Sequence, residues 1–192
     1  MEITDLGQLD RTKSYTYFDY LSWKIKERVE LIKGKVFEMS PAPASRHQRI
    51  SAKIGFNLQK HLELKSCEVF YAPFDVRLEK SADDKLVTTV VQPDICVICD
   101  ETKIDEKGCL GAPDLIVEIL SPGNSSKEMK NKFELYQEAG VLEYWIVDPE
   151  KEVIWQYSCE NGTFVNHKPL IEDDTLISTS VIGFEMELSK LF

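Results

Sequence analysis

Gln92-Pro93-Asp94-Ile95-Cys96-Val97-Ile98 and, further along, Asp114-Leu115-Ile116-Val117-Glu118-Ile119-Leu120 decide how this chain is read. Both are short runs of β-branched and apolar residues, the composition of buried strands. Each nevertheless carries a carboxylate, and desolvating a carboxylate is costly unless it is paired or bound to a cation. Two readings follow. Each acid can sit at a strand end beside a Lys or Arg. Alternatively the strands are neighbours, and Asp94 and Glu118 converge where their mutual repulsion calls for a divalent cation with a preference for oxygen, such as Mg²⁺. Asp114 cannot share an ion with Glu118, because four residues along one strand separate their Cα atoms by about 13 Å. It reads instead as the end of a turn.

Working outward, residues 15–27 carry helix-like spacing at Tyr17, Tyr20, Leu21 and Ile25, and Val29 to Met39 read as a hairpin turning at Lys33-Gly34. Ser40-Pro41-Ala42-Pro43 is a loop. Ser45 with Gln48 matches a capping box that opens a helix with the stripe Ile50, Ile54, Leu58 and Leu62. A strand is expected over Val69–Leu78, then a polar loop over Glu79–Lys85, and a hydrophilic excursion from Asp100 to Gly111 between the two acid-bearing strands. Ser121-Pro122-Gly123-Asn124 is a sharp turn. Ser125 and Glu128 form a second capping box, before a helix striped by Met129, Phe133 and Tyr136 and ended by Gly140. Glu143 to Pro149 is a further buried strand, with Tyr144 and Trp145 in the core. Glu152–Tyr157 and Thr163–Lys168 pair around Asn161-Gly162, and the tail from Leu176 holds one or two more strands. The order helix, three strands, helix, strand predicts an α/β fold: a mixed β-sheet flanked by helices, in one domain over 1–192.

With 43% hydrophobic and 29% charged residues the sequence is that of a globular chain, and its apolar runs are too short to cross a bilayer. The N-terminus lacks the basic start and apolar stretch of a secretory signal. Five scattered cysteines point to a reducing cytoplasm. Cys96 and Cys99 have CxxC spacing, but a strand sets them on opposite faces and no second pair answers them, which argues against zinc. The net charge of −10 opposes a basic nucleic-acid-coating protein, although a local cation cluster can outweigh it. Neither a Gly-rich phosphate loop nor a nucleophile elbow is present, and His61 and His167 lie on unrelated surface segments.

The chain resembles the PD-(D/E)xK nuclease superfamily and, more closely, the Uma2 family of restriction-endonuclease-like proteins. The resemblance lies in Glu30-Leu31-Ile32-Lys33-Gly34, Met39-Ser40-Pro41-Ala42-Pro43, His47, Gln92-Pro93-Asp94, Pro113 to Pro122, Lys132, Tyr136, and Gly140 to Pro149, and covers roughly residues 15 to 192. It implies a restriction-endonuclease-like core (αβββαβ order) with additional N- and C-terminal β-hairpins. It also implies that Asp94, Glu118 and Glu30 hold Mg²⁺ or Mn²⁺. The usual lysine would fall at position 120, where Leu120 stands. Lys132 on the following helix takes its place in this resemblance, with Lys130 lying farther round. Glu30 has an exposed hairpin face as its other reading, and Lys132 an ordinary solvated position.

The expected function is a metal-dependent endonuclease on DNA, with Asp94, Glu118, Lys132 and Glu30 as catalytic residues and His47, Gln92 and Lys130 as substrate contacts. Gln92 could equally make a structural hydrogen bond, and His47 could simply be exposed. Two alternatives stay open: a catalytically silent binding module of the same fold, or a metal-dependent hydrolase of another phosphorylated substrate. A positive rim of Lys53, Lys60, Lys127, Lys130 and Lys132 around Asp94 would favour nucleic acid. A homodimer is expected, with the Trp155–Phe164 hairpin as its apolar patch.

Overall fold

Alternation within the acid-bearing strands positions everything else. The computed structural model describes residues 2–39, 44–121 and 126–192, with side chains from 129 onward in the last stretch. The loop expected at Ser40–Pro43, the turn at Pro122–Asn124, the Ser125/Glu128 capping box and the Lys127 side chain lie outside the described residues. In chain order the helices are α1 (Tyr17–Tyr20), α2 (Ser45–Leu62) and α3 (Ser126–Ala139). The strands begin with β1 (Val29–Ile32), β2 (Lys35–Glu38), β3 (Glu68–Tyr71), β4 (Val76–Arg77) and β5 (Val90–Val91). They continue with β6 (Ile95–Ile98), β7 (Ile104–Asp105), β8 (Gly108–Leu110), β9 (Leu115–Ile119) and β10 (Glu143–Asp148). The last are β11 (Val153–Glu160), β12 (Thr163–Asn166), β13 (Thr175–Ile177) and β14 (Glu185–Glu187).

One sheet runs β12-β11-β10-β9-β6-β3, a second runs β2-β1-β5-β4-β8-β7, and β13 pairs with β14. In the first sheet β9 and β10 are parallel while β6 and β9 are antiparallel, so the order α2, β3, β6, β9, α3, β10 is the expected mixed α/β core. Ile95, Val97, Leu115, Val117, Trp145 and Val147 pack with Ile50, Ile54 and Leu58 of α2. The alternate residues Cys96, Ile98, Ile116, Tyr144 and Ile146 pack with Leu135 and Tyr136 of α3 on the other face. Both faces are covered, which is why these strands read as unbroken apolar runs.

Several expected elements differ. The helix expected over 15–27 is one short turn: Thr16 and Asp19 cap it, Ser22 N then bonds Asp19 O, and aromatic residues with poor helix propensity pack Tyr15 and Tyr20 against Trp23. The expected Val69–Leu78 strand is split between the two sheets, as β3 and β4. Pro73 in the gap has no N–H with which to continue a ladder. Of the Gln92–Ile98 stretch only Ile95–Ile98 is strand; β5, just before it, lies in the other sheet, so Gln92-Pro93-Asp94 is the crossing between them. At α2 the cap is Ala44, without a side-chain hydrogen bond, and not Ser45. The Asp100–Gly111 excursion contains β7 and β8, with β8 returning to pair with β4.

Both hairpin turns have the left-handed backbone their sequences ask for: Lys33 and Gly34 at φ 48° and 77°, Asn161 and Gly162 at 52° and 80°. Phe164 is buried against Phe133 and Tyr144, so that half of the expected apolar patch is an internal contact, whereas Trp155 is half-buried and Val165 exposed. Cys67 and Cys99 form a disulfide next to the Glu68–Ile98 pair of β3 and β6, where scattered free thiols were expected. Among the described residues no helix is long and apolar enough to cross a membrane.

Glu143 anchors the C-terminal segment. Its Oε1 accepts from Trp145 Nε1 and Gln156 Nε2, both at 2.7 Å. Its Oε2 accepts from Ser178 Oγ (2.6 Å), Thr179 N (3.0 Å), Ser180 N (2.8 Å) and Ser180 Oγ (2.8 Å). Burial raises this carboxyl, but the donors outweigh it and hold it below the usual range.

Candidate active site

Leu115, Val117 and Ile119 face α2, so Glu118 points to the α3 side of the sheet. There Lys132 and Tyr136, four residues apart on one face of α3, both reach its Oε1: Lys132 Nζ at 2.9 Å and Tyr136 OH at 2.6 Å. Lys132 Nζ also donates to Glu30 Oε1 at 2.9 Å. Glu30 comes from β1 in the second sheet, and the same oxygen accepts the backbone N–H of Gln92 at 3.0 Å. The crossing at Gln92–Asp94 therefore ties the second sheet to the carboxylates of the first.

Asp94 stands just before β6. Continuing the register past Ile95↔Val117 sets it opposite Glu118. Its Oδ2 accepts from Ile119 N at 2.8 Å and faces His47 Nε2 at 3.2 Å. The structure thus brings Asp94, Glu118, Glu30, Lys132 and His47 together from β6, β9, β1, α3 and α2.

The electrostatics follow from burial. Desolvation raises the Glu118 carboxyl, Lys132 pulls it back, and Asp94 and Glu30 push it up again, which together leave it at about 7. Burial alone would lower Lys132, but Glu118 and Glu30 outweigh it and hold the ammonium well above its ordinary value. His47 is buried, which lowers it, yet the hydrogen bond and charge of Asp94 leave it raised overall. Its Nδ1 is buried without a hydrogen-bond partner among the described residues.

Among the described residues no three His, Cys, Asp or Glu side chains cluster to hold an ion. The donor set still fits one kind of metal. Asp94 Oδ1 and Glu118 Oε2 are the oxygens that the donors just described do not engage. Two hard oxygens on facing strands suit Mg²⁺, which is commonly held by one or two carboxylates, with water and phosphate completing its shell. Glu30 shows the same pattern: Lys132 Nζ and Gln92 N both engage its Oε1, and its Oε2 lies outside the donors described.

Other expected residues fall elsewhere. The Gln92 side chain makes structural hydrogen bonds, the other reading its sequence left open. Its Oε1 accepts Arg28 Nε (3.1 Å) and Nη2 (2.7 Å), and its Nε2 donates to Asp75 (2.8 Å) and Tyr20 OH (3.2 Å). Lys130 is exposed and lies 3.8 Å from Glu134, away from the carboxylates. Of the expected lysine rim, Lys132 sits on Glu118 and Glu30, and no described lysine lines the cleft at Asp94. Lys53 bonds Leu191 O and borders a different cleft with Glu185 and Glu187. The charged group beside Asp94 is Arg28, which nothing in its polar neighbourhood of the sequence marks out. With His47, Phe56 and Tyr71 it lines a cleft of about 470 Å³ at Asp94. Asp114 ends its turn as expected, accepting Cys99 N at 2.8 Å.

Comparison with known proteins bears on the family and the fold. The Uma2 family, described as "Putative restriction endonuclease", matches residues 17–189. An uncharacterized protein of Synechocystis sp. is 24% identical over 131 residues, a stretch covering 67% of this chain and 65% of that protein. A crystal structure titled as a putative nuclease belonging to DUF820, from Anabaena variabilis, superposes with a TM-score of 0.67. It covers 93% of this chain and 97% of its own at 21% identity, a likeness of fold.

Proposed function

From the chain's membership of the Uma2 family we propose that it is a metal-dependent endonuclease hydrolysing phosphodiester bonds of DNA. The observation that carries the reading is Asp94 set opposite Glu118, with the Lys132 ammonium 2.9 Å from Glu118. Asp94 and Glu118 would hold one Mg²⁺ or Mn²⁺ through Oδ1 and Oε2, with Glu30 acting through Lys132. When bound, the ion supplies charge stabilisation at the phosphate and lowers the pKa of a water.

The chain's own residues do the positioning. Tyr136 and Lys132 fix Glu118 Oε1, and Oε2 stays outside these hydrogen bonds. Ile119 N and His47 fix Asp94 Oδ2. Lys132 keeps a positive charge beside two carboxylates, where a developing negative charge on the phosphate can share it. The lysine of the parent motif is thus supplied from α3, since Leu120 offers none.

Double-strand cleavage by a one-site enzyme asks for two copies, so a homodimer belongs to the proposal, and light scattering tests it. Its location in this reading is the cytoplasm, which the free cysteines Cys96, Cys109 and Cys159 suit and the Cys67–Cys99 disulfide weighs against. The test of the reaction is supercoiled plasmid incubated with Mg²⁺ or Mn²⁺, and with EDTA. Nicking that chelation abolishes supports the reading, and its absence leaves the binding-module alternative.

A further inference from the structure

Arg28, Phe56 and Tyr71 line the cleft at Asp94, yet none of them takes part in the Glu30–Lys132–Glu118 chain. Each is placed there at some cost. Phe56 is 63% exposed on α2, a helix whose opposite face fills the core. Gly55 stands in the middle of that helix, where glycine is a poor helix former. A Cβ there would collide with the Tyr71 ring, whose Cζ would lie 2.7 Å away. The helix is thinned at this point, and the ring of Tyr71 lies against it beside the cleft. Arg28 is pinned through Nε and Nη2 to Gln92 Oε1, and Gln92 is in turn held by Asp75 and Tyr20. A guanidinium fixed on one edge presents its remaining donors in a set direction.

The geometry points to a subsite for one unpaired nucleotide next to the phosphate that Asp94 faces. Arg28 takes a phosphate oxygen, Phe56 and Tyr71 stack on the base, and the Gln59 amide, also on the cleft wall, meets the base edge. This rests on the endonuclease reading and narrows its substrate to DNA with single-stranded character. In a duplex each base face is covered by its neighbours, so rings at a cleft mouth find nothing to stack on until a base leaves the helix. A single strand offers every face, and such stacking tolerates any base. The charge agrees: a chain of net −10 with one arginine in the cleft is poorly suited to tracking the phosphates of a duplex, and better suited to gripping a single nucleotide.

Fluorescence anisotropy in EDTA, where nothing is cut, reads binding apart from catalysis. The probes are a labelled DNA single strand of about 12 nucleotides and its duplex. The single strand should bind more tightly. Phe56→Ala should weaken it about fivefold or more and leave duplex binding unchanged, while Phe56→Trp retains it. Arg28→Ala should lower the slope of log affinity against log salt by about 0.7 for the single strand. Because Phe56 is exposed, its variants should keep the wild-type circular dichroism. Equal affinity for the two DNAs, or wild-type affinity of Phe56→Ala for the single strand, overturns the subsite. Cutting of the single strand or of supercoiled plasmid by the same preparations with Mn²⁺ separates the two claims, because the endonuclease reading falls only if both are absent.

Discussion

Replacing Glu118 by glutamine should stabilise the protein in alkaline, metal-free buffer and do nothing in acid. Glu118 is pushed up to about 7 by burial first and by Asp94 and Glu30 after it, against the pull of Lys132. An acid that holds its proton more tightly folded than unfolded contributes stability that is complete below its ordinary 4.5 and lost as pH rises through about 7. The rise from 4.5 to about 7, at about 1.36 kcal/mol per pH unit, amounts to about 3 kcal/mol lost by pH 8.5. Glutamine has the shape of the protonated acid and keeps an oxygen for Lys132 and Tyr136, so it escapes that loss. Glu118→Gln should exceed wild type by about 3 kcal/mol near pH 8.5, roughly 6–12 °C in Tm for a chain of this size, and match it near pH 4. Urea or thermal unfolding in EDTA at both values reads the gap. A gap that does not change with pH, or a variant less stable than wild type near pH 8.5, would refute the reasoning.

Lys132→Met leaves Glu30 and Glu118 facing each other without their ammonium and should cost about 3–5 kcal/mol in EDTA, read from the urea midpoint, with Mg²⁺ restoring part of it. Glu143→Ala strands the donors of Trp145, Gln156, Ser178 and Ser180 and should cost about 3 kcal/mol or more. Because the Glu143 carboxyl is held low, its contribution is present above the ordinary 4.5 and is lost as pH falls through its depressed folded value. The gap to Glu143→Ala should therefore narrow in acid, as chemical denaturation across that range will report. Alkylation and mass spectrometry of the denatured protein should label Cys96, Cys109 and Cys159 without reductant, and Cys67 and Cys99 only after reduction.

The acid-bearing strands were legible because a carboxylate in an apolar run is conspicuous, and period-two alternation then sets its face. Lys132 was legible for a similar reason: it lies three residues after Met129 and four before Tyr136, beside the inward stripe of α3. What escaped depends on where the chain crosses between sheets. Gln92 and Asp94 looked like one strand with one shared face. The crossing at Pro93 instead sends the Gln92 side chain to Arg28 and Asp75 and only its N–H to Glu30. The partnership of His47 with Asp94 and the grip of Glu143 on Ser178 and Ser180 join residues far apart in sequence, so no local periodicity encodes them. Phe164 alternates as a surface hairpin residue would, and only the aromatic cluster from α3 and β10 shows that its face is covered.

The central claim, that the carboxylates at Asp94 and Glu118 cut DNA with a divalent ion, meets its most direct test in wild type and Asp94→Asn purified side by side and given supercoiled plasmid with Mn²⁺ or Mg²⁺. The ion contributes several kcal/mol to charge stabilisation and each 1.4 kcal/mol is tenfold in rate, so losing this ligand should slow nicking about a thousandfold or more. Asparagine keeps the shape of Asp94 and an oxygen for Ile119 N, so the fold should survive. Wild-type nicking that EDTA stops and Asp94→Asn lacks is the predicted result; equal nicking by the two preparations, or none by either, contradicts it.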